Sequence, residues 1–247
     1  MDRYQQQWEN LGTHDPYWAV LSDPMKKGGK WKKDDFFETG KQEIQQVIMS
    51  LSRMHVNLRL GTALDFGCGV GRLSRALSDH FEKVIGIDIS RSMLEEAQVQ
   101  NRDASNIEFL HNATGNLELI QSSTIDFVYS NIVLQHMPAG QQALFIAEFC
   151  RVLRTGGVAI FQTPSRHNLG TLTGWTHFLL GNRFLNIPRR IKYGRNCIME
   201  IHTFTKEDVL AILDSHDMSI VEIEMNNATG RGFISYRYYA VKHGRAG

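Results

Sequence analysis

At 247 residues, with 42% hydrophobic and 21% charged residues, the chain suits one globular domain with a sizeable core. A formal net charge of +1 argues against a dedicated nucleic-acid surface. Cys68, Cys150 and Cys197 are too few and too scattered for a disulfide framework or a zinc site, which points to a reducing, cytoplasmic setting.

The start, MDRYQQQWEN, shows no signal region, and no apolar run approaches the roughly 20 residues needed to span a bilayer. Residues 1–34 are punctuated by Asp15-Pro16, Asp23-Pro24 and Gly28-Gly29, yet hold Trp8, Tyr17, Trp18 and Trp31. So many aromatics predict an arm folded over the core, closing a ligand crevice with Trp8, Tyr17 and Trp18 as apolar walls. Residues 35–54 read as a helix through Phe36, Phe37, Ile44, Val47, Ile48 and Leu51.

The stretch ALDFGCGVGRLSRAL (63–77) reads as a strand, a glycine turn and a helix starting at Arg72. Such a turn lets backbone N–H groups come close to a bound cofactor. A dinucleotide fingerprint needs glycine where Arg72 stands, which disfavours a nicotinamide oxidoreductase. KVIGIDI (83–89) predicts a buried strand ending in Asp88, placed to accept hydrogen bonds from ribose hydroxyls. A simpler role for Asp88, preceding a helix over 91–100 capped by Ser90, is compatible with the first. A third strand over 107–110 leads into His111-Asn112-Ala113.

In IDFVYSNIVLQHM (125–137), residues 126–129 form a strand with Ser130-Asn131 at its carboxyl end, where open α/β sheets bind ligands. A helix over 141–153, a turn at Thr155-Gly156-Gly157 and a strand over 158–162 follow, with Pro164 ending the strand. The alternation predicts a parallel sheet with helices on both faces. The period then disappears. Between residues 165 and 199 stand Arg166, Arg183, Arg189, Arg190, Lys192 and Arg195 without a single Asp or Glu, among Trp175, Phe178, Leu179, Leu180, Phe184 and Leu185.

That insertion reads as an irregular substrate lid or as a short amphipathic helix covering a sheet edge. Its Arg189-Arg190 pair suits an anionic acceptor, and its composition equally suits a lipid headgroup. Thr205 caps a further helix with Asp208 three residues on, and 218–225 and 233–241 alternate as strands.

The glycine series Gly67-Cys68-Gly69-Val70-Gly71, with Asp65 two places before it, resembles motif I of the class I, Rossmann-like methyltransferases that use S-adenosylmethionine. The resemblance is good over 34–163 and looser in the C-terminal hairpin. It implies an α/β fold: a seven-stranded, mostly parallel sheet with helices on both faces, an antiparallel C-terminal hairpin, an N-terminal helical arm and an insertion after strand 5. It implies one domain, divided into arm (1–34), cofactor core (35–163), insertion (164–204) and closing helix with hairpin (205–247).

It further implies S-adenosylmethionine held by Asp65, Gly67, Cys68, Gly69, Gly71, Asp88, Ile89, Asn112, Ala113, Ser130 and Asn131. Asn112 stands where the family often has Asp, and its carbonyl oxygen can take the same bond from the adenine amino group. His136 falls in the segment that lines the methyl-transfer pocket, as a general base or as a mere packing residue. Glu200 and His202 have strand-like spacing and face one side, toward the pocket or toward solvent. No metal is implied. The acceptor is read as a small, anionic molecule methylated on O or N. A non-catalytic or regulatory S-adenosylmethionine-binding protein on the same fold remains the alternative.

Overall fold

The computed structural model describes residues 3–193 and 199–244, and the side chains of all of these except Arg3, Arg183 and residues 188–193. Arg195 and Cys197 lie outside the described residues, as do the side chains of Arg189 and Arg190. The strands form a seven-stranded sheet in the order β3-β2-β1-β4-β5-β7-β6. The chain divides into two compact units, Met1–Ala113 and Thr114–Gly247.

The first unit opens with helices α1 (Arg3–His14) and α2 (Pro16–Val20), a helical arm, and α3 (Lys33–Arg53). Helix α3 buries Phe36, Gly40, Ile44, Val47 and Leu51, one stripe at helical spacing, and carries Asp34 and Asp35 in the first turn where the helix dipole favours acids. There follow β1 (Thr62–Phe66), α4 (Arg72–Ser78), β2 (Lys83–Asp88), α5 (Arg91–Gln100) and β3 (Ile107–His111). Strand β2 pairs in parallel with β1 and β3, Leu64 facing Ile85 and Asp88 facing His111. Its run of Val84, Ile85 and Ile87 is apolar on both faces because both faces are buried. Ser90 caps α5 by accepting from the Met93 N–H.

The second unit contains β4 (Ile125–Ser130), α6 (Ala139–Val152), β5 (Leu153–His167), α7 (Leu172–Tyr193), α8 (Lys206–Ser215), β6 (Met218–Asn226) and β7 (Phe233–Lys242). Strand β4 runs parallel to β5, while β7 runs antiparallel to both β5 and β6. Thr205 caps α8 by accepting from the Asp208 N–H.

One sequence expectation needs correction here, and another is resolved. Pro164 does not end β5, which continues to His167. The pairing with β4 stops at Phe161, so Pro164 pairs only with Ser235 of β7, and a register shift absorbs it before Arg166. A proline that owes no hydrogen bond on its open side is tolerated there. The insertion, read as an irregular lid or as a short amphipathic helix, is helical over Leu172–Tyr193, and longer than that second reading. Helix α7 is broken once, at Gly181, whose φ of 59° and ψ of 175° leave the helical region.

Candidate functional site

In the first unit, β1 and β2 end side by side and the glycine turn leaves the end of β1. The N–H groups of Gly67 and Cys68 both donate to the Ile87 carbonyl, at 2.8 and 3.0 Å. The Gly69 N–H donates to Asp88 Oδ2 at 2.8 Å, and the Ser90 N–H donates to Oδ1 at 2.9 Å. Asp88 is thus the clasp between the turn and the start of α5. These loop N–H groups are spent inside the protein, so the turn offers a ligand close approach more than free donors. Gly71 has a φ of 79°, and a Cβ there would sit 2.5 Å from Asn101 Nδ2 and 2.8 Å from the Phe109 ring. Only glycine fits.

Asp65 lies beneath the turn, almost wholly buried, and accepts from Ser74 Oγ at 2.6 Å. Burial pushes its carboxyl up to about 7, against the pull of Ser74 and of Arg72. Burial also raises the Asp88 carboxyl, opposed by the N–H groups of Ser90 and Gly69. Cys68 is a buried free thiol, raised well above its usual range by burial. Asn112 is buried and donates its N–H to the Asp88 carbonyl at 2.9 Å, whereas Ala113 is exposed.

The arm lies against this cradle. The Glu9 carboxylate accepts from the Arg91 and Ser92 N–H groups at 2.8 and 3.0 Å and from Ser90 Oγ at 3.0 Å. Burial raises the Glu9 carboxyl, but these bonds outweigh it and hold the group below its ordinary value. Gln5 Nε2 reaches the Ile89 carbonyl at 3.5 Å, and Val20 approaches so closely that a Cβ on Gly69 would meet its Cγ2 at 2.6 Å. Tyr17 stacks on Phe36 with ring centroids 4.7 Å apart and donates to Glu96 at 3.3 Å. Trp18 donates to the Asp23 carbonyl at 3.0 Å.

In the second unit, Ser130 is buried at the end of β4 and Asn131 follows it. Ile132 then adopts a φ of 63°, a costly conformation for a β-branched residue, and its N–H donates to Gln162 Oε1 at 3.2 Å. His136 is buried, with Nδ1 2.8 Å from the Glu200 carbonyl and Nε2 3.2 Å from the Gln135 amide nitrogen. A carbonyl only accepts, so Nδ1 carries the proton and Nε2 accepts from Gln135. Burial first, and His202 nearby, push the His136 imidazole down to about 4 despite the Glu200 bond. Glu200 Oε2 lies 3.4 Å from His202 Nε2, and Glu200 Oε1 accepts from Asn186 of α7 at 2.7 Å.

Among known proteins, a methyltransferase-domain family model matches residues 63–157. The chain is 35% identical over 116 residues to a malonyl-[acyl-carrier protein] O-methyltransferase of Enterobacter lignolyticus, covering 46% of this chain and 43% of that one. It is 30% identical over 178 residues to the protein of the same name from Pectobacterium atrosepticum, covering 68% of this chain and 66% of that one. The chain therefore spans less than two thirds of the length of these relatives. Its fold matches that of magnesium protoporphyrin IX methyltransferase from Synechocystis, solved with bound SAH, at 20% identity and a TM-score of 0.64, covering 97% of this chain and 99% of that one. The chain belongs to the class I, Rossmann-like S-adenosylmethionine-dependent methyltransferases.

Within this methyltransferase the structure brings together Asp65, Gly67, Cys68, Gly69, Gly71, Asp88 and Ile89 in one cradle, with Asn112 bonded to Asp88. It groups His136, Glu200 and His202 in another cluster. Arg72, which stands where a dinucleotide fingerprint has glycine, is a buried structural residue, 2.8 Å from Glu43 of α3 and 3.3 Å from Thr39. Sequence reasoning missed Glu9, Val20 and the buried amides Gln135, Gln142 and Gln162. Gln162 donates to Thr229 Oγ1 at 2.7 Å and to Ser235 Oγ, and Thr163 Oγ1 donates to Gln142 Oε1. The one signal for these was a glutamine recurring in otherwise apolar segments. Among the described residues, no group of three or more His, Cys, Asp or Glu side chains is placed to hold a metal ion. Nor is any helix long and apolar enough to cross a membrane.

Proposed function

We propose that the chain binds S-adenosylmethionine in the cradle of its first unit and directs the methyl group to an oxygen of a small or carrier-linked anionic acceptor. The observation that carries this reading is the bond from the Gly69 N–H to Asp88, which joins the glycine turn to an acidic strand end at 2.8 Å. The chemistry of the residues fits the cofactor. Asp65 is a buried carboxylate that an ammonium group would neutralise, so it would hold the methionine end. Asp88 has lone pairs beyond the two given to Gly69 and Ser90, enough for ribose hydroxyls. Asn112 would present its amide to the adenine, with Ile89 and Ala113 beside it. Bound there, the cofactor supplies a methyl group activated on a sulfonium, with a thioether as leaving group.

The names of both malonyl-[acyl-carrier protein] relatives favour O-methyl transfer over N-methyl transfer. An acceptor carboxylate is already ionised at neutral pH, so no proton has to be removed. That suits His136, which stays neutral and is tied at both ring nitrogens. His136 then positions the Glu200 segment rather than acting as a base. Ser130, Asn131, Glu200 and His202 are the candidates of the second unit for binding an acceptor, and alignment with exclusion of water carries the rate.

The test is incubation with methyl-labelled S-adenosylmethionine and a panel of carboxylate acceptors, malonyl thioesters among them. The expected product is a base-labile methyl ester, with one S-adenosylhomocysteine formed per ester. Cofactor binding without turnover on any acceptor class would instead favour a non-catalytic binder. Retention of a nicotinamide nucleotide in place of S-adenosylmethionine would favour an oxidoreductase.

A further inference from the structure

Helix α7 buries little of its own apolar surface. Seven of the sixteen positions from 172 to 187 are large apolar residues that remain exposed, led by Leu172 at 82%, Leu179 at 69% and Phe184 at 59%. Elsewhere exposed apolar residues stand singly, as at Met25, Met49 and Val99, which needs no explanation. Here they fall at helical spacing on each side of the Gly181 break. Leu172, Trp175 and Leu179 follow i, i+3, i+7 before it, with Phe178 and Leu180 beside them, and Phe184 and Ile187 follow i, i+3 after it. The polar residues that bond α7 to its own unit are Asn182, which donates to the Ile201 carbonyl at 2.8 Å, and Asn186, which donates to Glu200. Rings of His167 and His177 meet Phe178 and Phe233 at its start. The helix is therefore anchored, and its apolar stripes face outward.

Charge says what these stripes meet. From residue 165 to 199 the sequence has five arginines and one lysine and no acidic residue, although the whole chain is close to neutral at +1. An exposed apolar helix with Trp175 at its surface, in a stretch of sequence whose charged residues are all basic, has the composition of a helix that lies in the plane of a membrane interface. We infer that α7 docks this protein on an anionic lipid surface, its two halves lying flat on either side of the Gly181 break. Basic residues supply the long-range attraction to anionic headgroups, and the apolar stripes supply the burial that follows. A soluble protein partner would be matched more naturally by a patch of mixed sign.

The experiment is cosedimentation of the full chain with vesicles of phosphatidylglycerol and phosphatidylcholine, against vesicles of phosphatidylcholine alone. Binding should favour the anionic vesicles and weaken in 0.5 M salt, as screening requires. The triple variant Leu172→Ser, Leu179→Ser, Phe184→Ser should lose at least about tenfold in partitioning. Its circular dichroism and thermal midpoint should match the wild type, since these three side chains are already exposed. Absence of vesicle binding by the wild type would overturn the inference, as would equal binding by the variant. Self-association of the wild type in solution that the variant abolishes would also overturn it, by making a second copy the occupant of the face.

Discussion

Replacing Asp65 by Asn should make the protein more stable and less able to bind its cofactor. The carboxyl is buried beneath the glycine turn and held at about 7, against 3.8 for an ordinary aspartate. Its pKa is raised by folding, so the folded state holds a proton that the unfolded chain releases. Stability is therefore greatest below the unfolded pKa and is lost as pH rises from 3.8 through about 7. At about 1.4 kcal/mol per unit, the ionised carboxylate costs the empty protein about 4 kcal/mol above pH 7. An amide escapes that cost and still accepts from Ser74 Oγ, but its own NH2 needs a partner, at about 1–3 kcal/mol. That second cost does not vary with pH. The gain of Asp65→Asn over wild type, measured by urea unfolding without ligand, should thus grow by about 3 kcal/mol from pH 5 to pH 8. A cationic amino group beside Asp65 would reverse the balance, so S-adenosylmethionine affinity of the wild type should rise through pH 7 with release of a proton. A gain independent of pH, or cofactor affinity unchanged in the variant, would refute the argument.

Three other outcomes follow from the same geometry. The neutral His136 has a folded pKa of about 4, below the usual 6.5, so stability is full above 6.5 and falls as pH drops toward 4. Wild type should lose about 2 kcal/mol between pH 7 and 5 that His136→Gln does not lose, read from denaturant midpoints. Glu9 has its carboxyl held below the ordinary range, so its clasp on α5 persists above that range and is released as pH falls through the lowered value. Glu9→Ala should loosen the arm by about 1 kcal/mol and speed proteolysis within residues 3–30, while the core stays folded. Gly71→Ala, forced to a φ of 79° with its Cβ against Asn101 and Phe109, should cost roughly 2–4 kcal/mol in thermal unfolding.

The parts of the fold that were legible in the sequence are those that local chemistry decides. Ser90 and Thr205 announce α5 and α8 because a cap bonds two or three residues ahead. The start of α4 at Arg72 follows from the glycines before it, and the buried strands β2 and β4 follow from their apolar runs. Helix α7 was legible only as one of two readings, because the non-helical Gly181 interrupts its apolar pattern and no single period runs through it. Pro164 misled because a proline reads as a terminator unless the neighbour it no longer serves is known. Glu9 escaped for a different reason: it caps a helix that begins 82 residues later, and nothing near it in sequence marks the contact. The Gln135, Gln162, Thr229 and Ser235 network likewise exists only once β4, β5 and β7 are in place. The three candidate residues His136, Glu200 and His202 were legible as residue types in suspect segments. Their mutual bonds, and the neutrality of His136, were not.

The central claim is that the first unit is a cofactor cradle clasped by Asp88, and titration calorimetry with S-adenosylmethionine tests it most directly. Wild type should bind one equivalent, and Asp88→Ala should bind at least about tenfold more weakly, because it loses both the ribose acceptor and the bond that shapes the glycine turn. No heat of binding with wild type, or equal affinity in the Asp88→Ala protein, would contradict it.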